Sequence, residues 1–350
     1  MIRKICASNF KAIGEKCIEV GRGLNLVVGP PASGKSSLME SLAFLMQSKG
    51  EDWLITEGNF LVIHDLRDVI NGMDGSKIMG IGIGVDVDDF MRSFLEPSGV
   101  MARTIEYEYK YRHSDGWVSQ TVKIDGEEIT FEKDGDGGMM TRPRPLRLCT
   151  PPAYVMHEDA LMPCENSSEV GRAQAALFAL RQSLRDRFFF LGENRVAWWK
   201  RTFETTVDLP THSVGGDGQY TVHFLSMILT KPEYSEGAQA IKAMLSRLGV
   251  DDVTAGFVEP NRVSGYLSMK GRWGPLYHAG LAIRSLLPLL VQLAISPRGS
   301  TVVVDGVDIG LNEEWLEMII DILLRASKDI QIIATSRYAP KSSGVNLVTL

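Results

Sequence analysis

The hydrophobic and polar positions of this chain predict strands near its start and alternating helices and strands near its end. Residues 2–28 alternate as two strands around a turn at 14–16, followed by an apolar third strand that ends in glycine. Residues 78–87 and 103–133 alternate again around Asp-Gly turns, which predicts an antiparallel meander. Residues 281–338 predict an apolar helix, a buried strand, an amphipathic helix and another strand. The pattern therefore predicts an α/β fold, with a mixed sheet beside the meander.

The middle of the chain has a helical pattern. Between Glu169 and Phe188, apolar residues recur at steps of three and four, which predicts one packed helix. No run of three or more heptads occurs in the sequence, so we expect no long coiled-coil arm.

Composition and charge narrow the class of protein. The 350 residues are 44% hydrophobic and carry a formal net charge of -6, which predicts a globular chain without a broadly basic nucleic-acid surface. No signal sequence and no run of eighteen apolar residues is present, so we expect a cytoplasmic protein without a membrane span. The four cysteines are scattered without a C-x-x-C pair, and we expect them to be reduced, buried thiols.

One motif predicts a phosphate-binding loop. Residues 29–36, GPPASGKS, match the pattern G-x-x-x-x-G-K-[ST] and lie between a predicted strand and a predicted helix. In such a loop, backbone N–H groups and the helix N terminus face the phosphates, while Lys35 reaches the β- and γ-phosphates and Ser36 binds Mg²⁺. The sequence therefore predicts a site for ATP and Mg²⁺. The predicted nucleotide-binding residues of this loop are Gly29, Pro30, Pro31, Ala32, Ser33, Gly34, Lys35, Ser36 and Ser37.

A second candidate is Asp305, which follows the apolar strand 301–304 and so lies where open α/β sheets bind their ligands. We expect its carboxylate to hold Mg²⁺ together with the loop serine and to serve catalysis. Hydrolysis also needs a carboxylate that activates the attacking water, but the next residue is Gly306. Asp308 and Glu313 are nearby acids that could replace this base, and Asp308 is the one that we assign to the catalytic site.

Several blocks of sequence carry a resemblance to a known family. They are NFKAIGEKCIEVGRGLNLVVGPPASGKSSLMESLAF at the front, FFFLGENR and VGGDGQYTVHFL in the middle, and GLAIRSLLPLLVQLA, VVVDGVDIGLN and IIATSRY behind. Together they resemble the RecF/SMC-type branch of the ABC ATPases, which includes the overcoming-lysogenization-defect ATPases and related small AAA-like proteins of archaea and bacteria. The resemblance implies the fold of an ABC-type ATPase head.

The chain departs from this family at three positions. The family places a glutamate after its Walker B aspartate, a serine-serine-glycine core in its signature loop and a histidine after its last core strand. Here Gly306, His278-Ala279-Gly280 and Arg337 occupy those positions. The resemblance therefore implies an intact nucleotide-binding half and a degenerate hydrolytic half.

The resemblance also implies an assembly and an organisation of the chain. Two heads would sandwich ATP, with the loop around Gly280 of one head facing the phosphates of the other, so a homodimer is expected. The expected organisation is an N-terminal half of the head over 1–165, an inserted helical lobe over 166–260, and a C-terminal half with the signature-like loop and Walker B over 261–350.

Three functions compete. The first is an ABC-type ATPase in DNA repair, maintenance or defence, with DNA and a nuclease or repair protein as partners, as the resemblance implies. The second is a non-hydrolysing, nucleotide-gated binding module, which Gly306 and Arg337 favour. The third is a P-loop kinase of a small molecule, which the distance between the two nucleotide-binding motifs disfavours. Candidate contacts to DNA phosphates are Arg142, Arg144, Arg147 and the segment 195–201, RVAWWKR.

Overall fold

The computed structural model describes residues 1–51, 53–133, 138–149, 155–158, 162–164, 167–196, 199–204 and 209–350. The strands within these ranges are β1 (Ile2–Phe10), β2 (Ile13–Glu19), β3 (Leu24–Val28), β4 (Ile78–Asp86), β5 (Thr104–Arg112), β6 (Gly116–Ile124), β7 (Glu127–Lys133), β8 (Met139–Arg142), β9 (Phe188–Leu191), β10 (Phe203–Glu204), β11 (Asp252–Glu259), β12 (Arg262–Met269), β13 (Arg272–Pro275), β14 (Thr301–Val304), β15 (Gln331–Ser336) and β16 (Asn346–Thr349). The α-helices are α1 (Lys35–Ser48), α2 (Asp89–Leu95), α3 (Ser168–Leu184), α4 (Thr221–Thr230), α5 (Ser235–Arg247), α6 (Leu281–Ile295) and α7 (Glu313–Ala326).

A parallel sheet of five strands forms the centre, in the order β16-β3-β15-β14-β9. Its side chains alternate between two buried faces. Val303 and Ile333 pack in the core that contains α1 and the antiparallel strands, whereas Val302 and Val304 pack with α4–α7. Burial on both faces explains why these strands are continuous apolar runs in the sequence.

A separate antiparallel sheet of seven strands has the order β2-β1-β4-β5-β6-β7-β8. The predicted meander is confirmed in β4–β7, and Asp125 and Gly126 both have positive φ in the tight turn between β6 and β7. The first predicted turn, at 14–16, was wrong. Phe10 pairs with Ile13, so the chain reverses at residues 11–12, before Gly14.

The sequence predicted a mixed sheet, but the parallel and antiparallel strands lie in different sheets. The connections explain this separation. The antiparallel strands β5, β6 and β7 follow one another through turns, and α2 lies between β4 and β5, whereas α7 lies in the crossover between the parallel strands β14 and β15. The fold is therefore α/β with three layers: the antiparallel sheet with α1, the parallel sheet, and helices α4–α7.

The middle of the chain contributes to more than one layer. Helix α3 packs against α2 and β6 and ends at Leu184. The predicted helix was therefore four residues too long at its C-terminal end, since Phe188 begins β9. Strand β9 pairs with β14 in the central sheet, while β10–β13 form a small antiparallel sheet against α4. The division at 165/166 and 260/261 stays a prediction. No helix within the described ranges is long and apolar enough to cross a membrane.

The cysteines are not reduced thiols in this structure, so that prediction was wrong. Cys6 and Cys17 are directly opposite residues of β1 and β2 and form a disulfide, and Cys149 pairs with Cys164. Their spacing in sequence gave no warning because the register of a hairpin, rather than a C-x-x-C motif, brings the first pair together.

Candidate nucleotide-binding site

The phosphate-binding motif forms the predicted strand–loop–helix connection. The loop 29–34 leaves the buried strand β3 at the C-terminal edge of the parallel sheet and enters α1 at Lys35. Ala32 and Gly34 have positive φ, and a Cβ built at Gly34 would approach Ile13 Cγ1 of the β1–β2 hairpin to 3.2 Å. Glycine therefore permits both the turn and the close packing of the hairpin tip against the loop.

The ammonium group of Lys35 lies inside the loop. Its Nζ donates hydrogen bonds to the carbonyl oxygens of Gly29 at 2.7 Å and Pro30 at 2.8 Å, with Ser33 Oγ at 3.4 Å, and the residue is buried. These oxygens hold the ammonium at the start of α1, where the helix dipole also favours an anion. A phosphate oxygen is the kind of acceptor that could replace them.

The second predicted motif meets the first at the same edge of the sheet. Ser36 Oγ donates a hydrogen bond of 3.1 Å to Asp305 Oδ1, although the two residues are 269 positions apart in sequence. Thr335 Oγ1, from the neighbouring strand β15, donates to the same carboxylate oxygen at 2.6 Å and accepts the Gly306 N–H at 2.6 Å. Asp305 is only 2% exposed. The structure therefore brings together Ser36 and Asp305, the two residues predicted to hold Mg²⁺.

This oxygen set suits Mg²⁺ in its chemistry. A serine hydroxyl and a carboxylate are hard oxygen donors, and Mg²⁺ commonly uses one or two protein oxygens together with substrate phosphates. Among the described residues, no group of three or more His, Cys, Asp and Glu side chains could hold a metal by itself. An ion at Asp305 would therefore share its ligands with the nucleotide.

The residue after Asp305 has an unusual backbone. Gly306 has φ of +64°, and a Cβ at this position would lie 2.6 Å from Ile309 Cδ1. The glutamate that the family usually places here is thus replaced by a residue whose backbone disfavours any side chain.

Asp308, the predicted substitute base, is held by Arg337. Its Oδ2 accepts hydrogen bonds from Arg337 Nε at 2.7 Å and from the Arg337 N–H at 3.4 Å, and Asp308 is 2% exposed. The bond to Asp308 raises the pKa of Arg337 above its ordinary value. The arginine at the place of the family's histidine therefore pairs with the acid that was expected to replace the family's glutamate.

Two further acids lie around the site, and sequence reasoning missed both of them. Glu40, one turn after the loop, pairs with Lys11 Nζ at 2.7 Å. Burial raises the pKa of the Glu40 carboxyl, Lys11 opposes this rise, and the charges of Asp305 and Glu193 add to it. Glu193 follows β9, the strand beside β14. The neighbourhood is thus acidic, which favours a cation there.

Gly280, the predicted contact to a partner's nucleotide, lies at the exposed start of α6. Its carbonyl oxygen accepts the Arg284 N–H at 3.1 Å, and a Cβ at Gly280 would meet open space. A Cβ at Gly310, in the loop after Asp305, would lie 2.9 Å from Leu281 Cγ. The first turn of α6 therefore packs against the loop that follows the Walker B strand.

Most of the arginines that were candidate contacts to DNA phosphates are bonded to other groups of the protein. Arg195, one of these candidates, is 1% exposed and its guanidinium is bonded within the protein, so it is a buried residue and not a phosphate contact. The adjoining Trp198 lies outside the described residues, and Trp199 Nε1 donates to the Arg195 carbonyl at 3.1 Å. Arg142 and Arg144 are exposed but paired with carboxylates, and Arg147 is exposed. An arginine in an apolar run is difficult to place from sequence because burial depends on which carbonyl groups surround it.

Comparisons with known proteins identify the fold. Searches against protein families and against curated proteins found no match. Among solved structures, an SMC head domain bound to the C-winged helix domain of ScpA has a TM-score of 0.53 and 14% sequence identity, covering 96% of this chain and 89% of that one. An SMC head domain from Thermotoga maritima has a TM-score of 0.43 at 13% identity, with coverage of 96% and 89%. An Smc head domain with an extended coiled coil, from Pyrococcus furiosus and bound to the C-terminal domain of ScpA, has a TM-score of 0.48 at 11% identity, with coverage of 95% and 89%.

The first of these structures carries the conclusion about class. Its likeness extends over nearly the whole of this chain, which therefore has a fold like that of an SMC head domain. At 14% identity the likeness concerns the fold alone.

Proposed function

We propose that this protein is an ATP-binding head of ABC type, in which ATP and Mg²⁺ bind between the loop 29–37 and Asp305 and drive two copies to associate. The observation that carries the proposal is the 3.1 Å hydrogen bond between Ser36 Oγ and Asp305 Oδ1 at the C-terminal edge of a parallel sheet. A shared metal–nucleotide complex explains why two motifs that are far apart in sequence present polar oxygens to each other at that edge.

Each element has a role in this proposal. The backbone N–H groups of the loop and the N terminus of α1 hold the phosphates, Lys35 compensates their charge, and Ser36 and Asp305 hold Mg²⁺. Bound Mg²⁺ would neutralise charge on the phosphate oxygens. The exposed segment around Gly280 would meet the nucleotide of the second copy.

Hydrolysis in this proposal is slow. Gly306 has no carboxylate to polarise water, and Asp308 is engaged by Arg337. Electrostatic stabilisation by the loop and the metal remains, so turnover is reduced rather than absent.

A second candidate is a nucleotide-gated module that binds ATP without turnover. The left-handed backbone at Gly306 favours it, because the position cannot accept the missing side chain without rearrangement. The two candidates share the same binding site and differ in whether bound ATP is hydrolysed.

The wider setting belongs to the proposal as well. A cytoplasmic role in DNA repair, maintenance or defence, with DNA and a nuclease or repair protein as partners, rests on the sequence resemblance. Local arginines rather than a basic surface would have to contact DNA, since the chain carries a net charge of -6.

Lys35→Ala tests the site. We expect this variant to lose measurable ATP binding, because the substitution removes the charge that faces the phosphates, while the fold survives. Calorimetric titration with ATP and Mg²⁺ measures the affinity, and light scattering measures association. Lys49→Ala is the matched control, since it removes a lysine that bonds the end of α3 instead. Equal ATP affinity in Lys35→Ala and the wild type would show that the site lies elsewhere.

A further inference from the structure

A single buried arginine joins two parts of the proposed site. Arg195 lies in the 3₁₀ turn Glu193–Val196 after β9 and is 1% exposed. Its Nη1 donates to the carbonyl oxygens of Asp305 at 2.6 Å and Gly192 at 2.8 Å, and its Nη2 donates to the carbonyl oxygen of Gly306 at 2.6 Å. The guanidinium therefore fixes the backbone that carries the Walker B carboxylate.

The same guanidinium also holds helix α6. Its Nε donates to the Ser285 carbonyl oxygen at 3.1 Å, and Nη2 lies 3.3 Å from Ser285 Oγ. Ser285 is completely buried near the start of α6, five residues after the exposed Gly280. Arg195 thus connects the loop beneath the chain's own nucleotide site to the helix whose start is exposed.

This arrangement uses properties that only arginine has. The planar guanidinium presents five N–H donors in fixed directions, whereas a lysine has one compact ammonium that cannot span the same set of oxygens. A buried cation is costly, and desolvation lowers the pKa of Arg195 to about 10 although Asp305 and Asp308 oppose this effect. The bonds of the guanidinium to both 305–306 and Ser285 explain why the protein keeps this charge despite the cost of burying it.

We propose that Arg195 is a positioning residue that couples the chain's own nucleotide site to helix α6, so that filling the site at Asp305 sets how Gly280 is presented to a second copy. The coupling rests on the proposed function, because it assumes nucleotide at Asp305. It differs from a general contribution to stability, which would affect binding and association alike.

The test compares Arg195→Lys and Ser285→Ala with Lys49→Met, which removes a partly buried cation elsewhere. Without nucleotide, we expect amide hydrogen exchange at 305–309 to be about tenfold or more faster in Arg195→Lys than in Lys49→Met, with the same change at 281–285. Ser285→Ala removes the 3.3 Å contact between Oγ and Arg195 Nη2 but keeps the bond from Nε to the Ser285 carbonyl oxygen, so it should speed exchange at 305–309 by a smaller factor. If Arg195→Lys does not fold, as judged by circular dichroism, Ser285→Ala carries this measurement alone.

With ATP and Mg²⁺, the wild type should show slower exchange at 281–285 when nucleotide binds. At ATP and Mg²⁺ concentrations that saturate each protein, Arg195→Lys should lose this slowing and associate about tenfold more weakly. Full slowing at 281–285 with wild-type association in saturated Arg195→Lys, or unchanged exchange at 305–309 in both variants, would overturn the coupling. Absence of ATP binding in the wild type would instead overturn the proposed function, and the nucleotide-free exchange would still decide whether Arg195 joins the two segments.

Discussion

The loop after β14 shows how the local backbone can alter the chemistry of a site. Gly306 lacks a carboxylate, and its positive φ and the closeness of Ile309 oppose the addition of one. The sequence alone predicts that Gly306→Glu restores a base and raises turnover. The structure adds that the single substitution would be strained, because a Cβ would lie 2.6 Å from Ile309 Cδ1.

We therefore predict that Gly306→Glu combined with Ile309→Ala raises the ATPase rate more than Gly306→Glu alone. A carboxylate that reaches the attacking water is worth about 10²–10⁴-fold, and the second substitution removes the side chain in its way. Steady-state phosphate release measures the rate. The matched control is Gly306→Ala with Ile309→Ala, which has the same space without the carboxylate. Equal rates in the two double variants would show that the base is missing for another reason.

Lys49 offers a prediction about pH. Its Nζ donates to the carbonyl oxygens of Leu184 at 2.9 Å and Arg185 at 3.1 Å at the end of α3, and burial lowers the pKa of Lys49 from 10.5 to about 8. Between these pH values the unfolded chain binds more protons than the folded one at this residue. The cost of burying the charge is therefore present below pH 8 and disappears as the pH rises towards 10.5.

The free energy of unfolding of the wild type should thus rise relative to Lys49→Met between about pH 8 and 10, by less than about 1.4 kcal/mol per pH unit. Urea denaturation of both proteins at several pH values gives this difference, and the subtraction removes the titration of other groups. A difference that stays constant over this range would show that Lys49 titrates at its ordinary pKa, and one that falls would show that its pKa is raised; either result would contradict the prediction.

At the scale of elements, sequence patterns predicted those parts whose residues alternate or recur regularly. Helix α1 buries Leu38, Leu42 and Leu45, which recur at helical spacing. Strand β14 buries its apolar run, as expected. The partners of Asp305 were harder to predict, because Thr335 belongs to a strand that pairs with β14 only in three dimensions. The polar end of β15 was visible in the sequence, but which polar residue faces Asp305 depends on strand register.

Arg195 shows the limit of composition as evidence. Beside tryptophans and a lysine it has the appearance of a nucleic-acid contact, yet the fold surrounds it with four backbone carbonyl oxygens. The cysteines show the same limit, since Cys6 and Cys17 meet only because β1 and β2 pair in one register.

The hairpin disulfide leads to a prediction for stability. Cys6 and Cys17 close a loop with a sequence separation of 11, so the crosslink restricts the unfolded chain, by roughly 2–3 kcal/mol for loops of this length. We expect Cys17→Ser to lower the free energy of unfolding by about this amount under non-reducing conditions. Addition of dithiothreitol should bring the wild type towards the variant. Reactive thiols at Cys6 and Cys17 in the untreated, denatured wild type would show that the bond does not form.

At the scale of the whole molecule, the layers bring distant parts of the chain to one edge. The loop 29–34 leaves β3, Asp305 leaves β14 and Thr335 ends β15, and these strands are neighbours in one parallel sheet. The β1–β2 hairpin packs on the loop from the antiparallel side, and α6 packs beside Asp305 through Arg195. A binding event at this edge can therefore affect all three layers.

The central claim is that the loop and Asp305 form one Mg²⁺–nucleotide site. Its most direct test is calorimetric titration of the wild type and Asp305→Asn with ATP, each with and without Mg²⁺. We expect Mg²⁺ to strengthen ATP binding to the wild type by about tenfold or more, and Asp305→Asn to lose most of this gain while retaining Mg²⁺-free binding through the loop. A gain from Mg²⁺ that is the same in both proteins, or a wild type that binds no ATP, would contradict it.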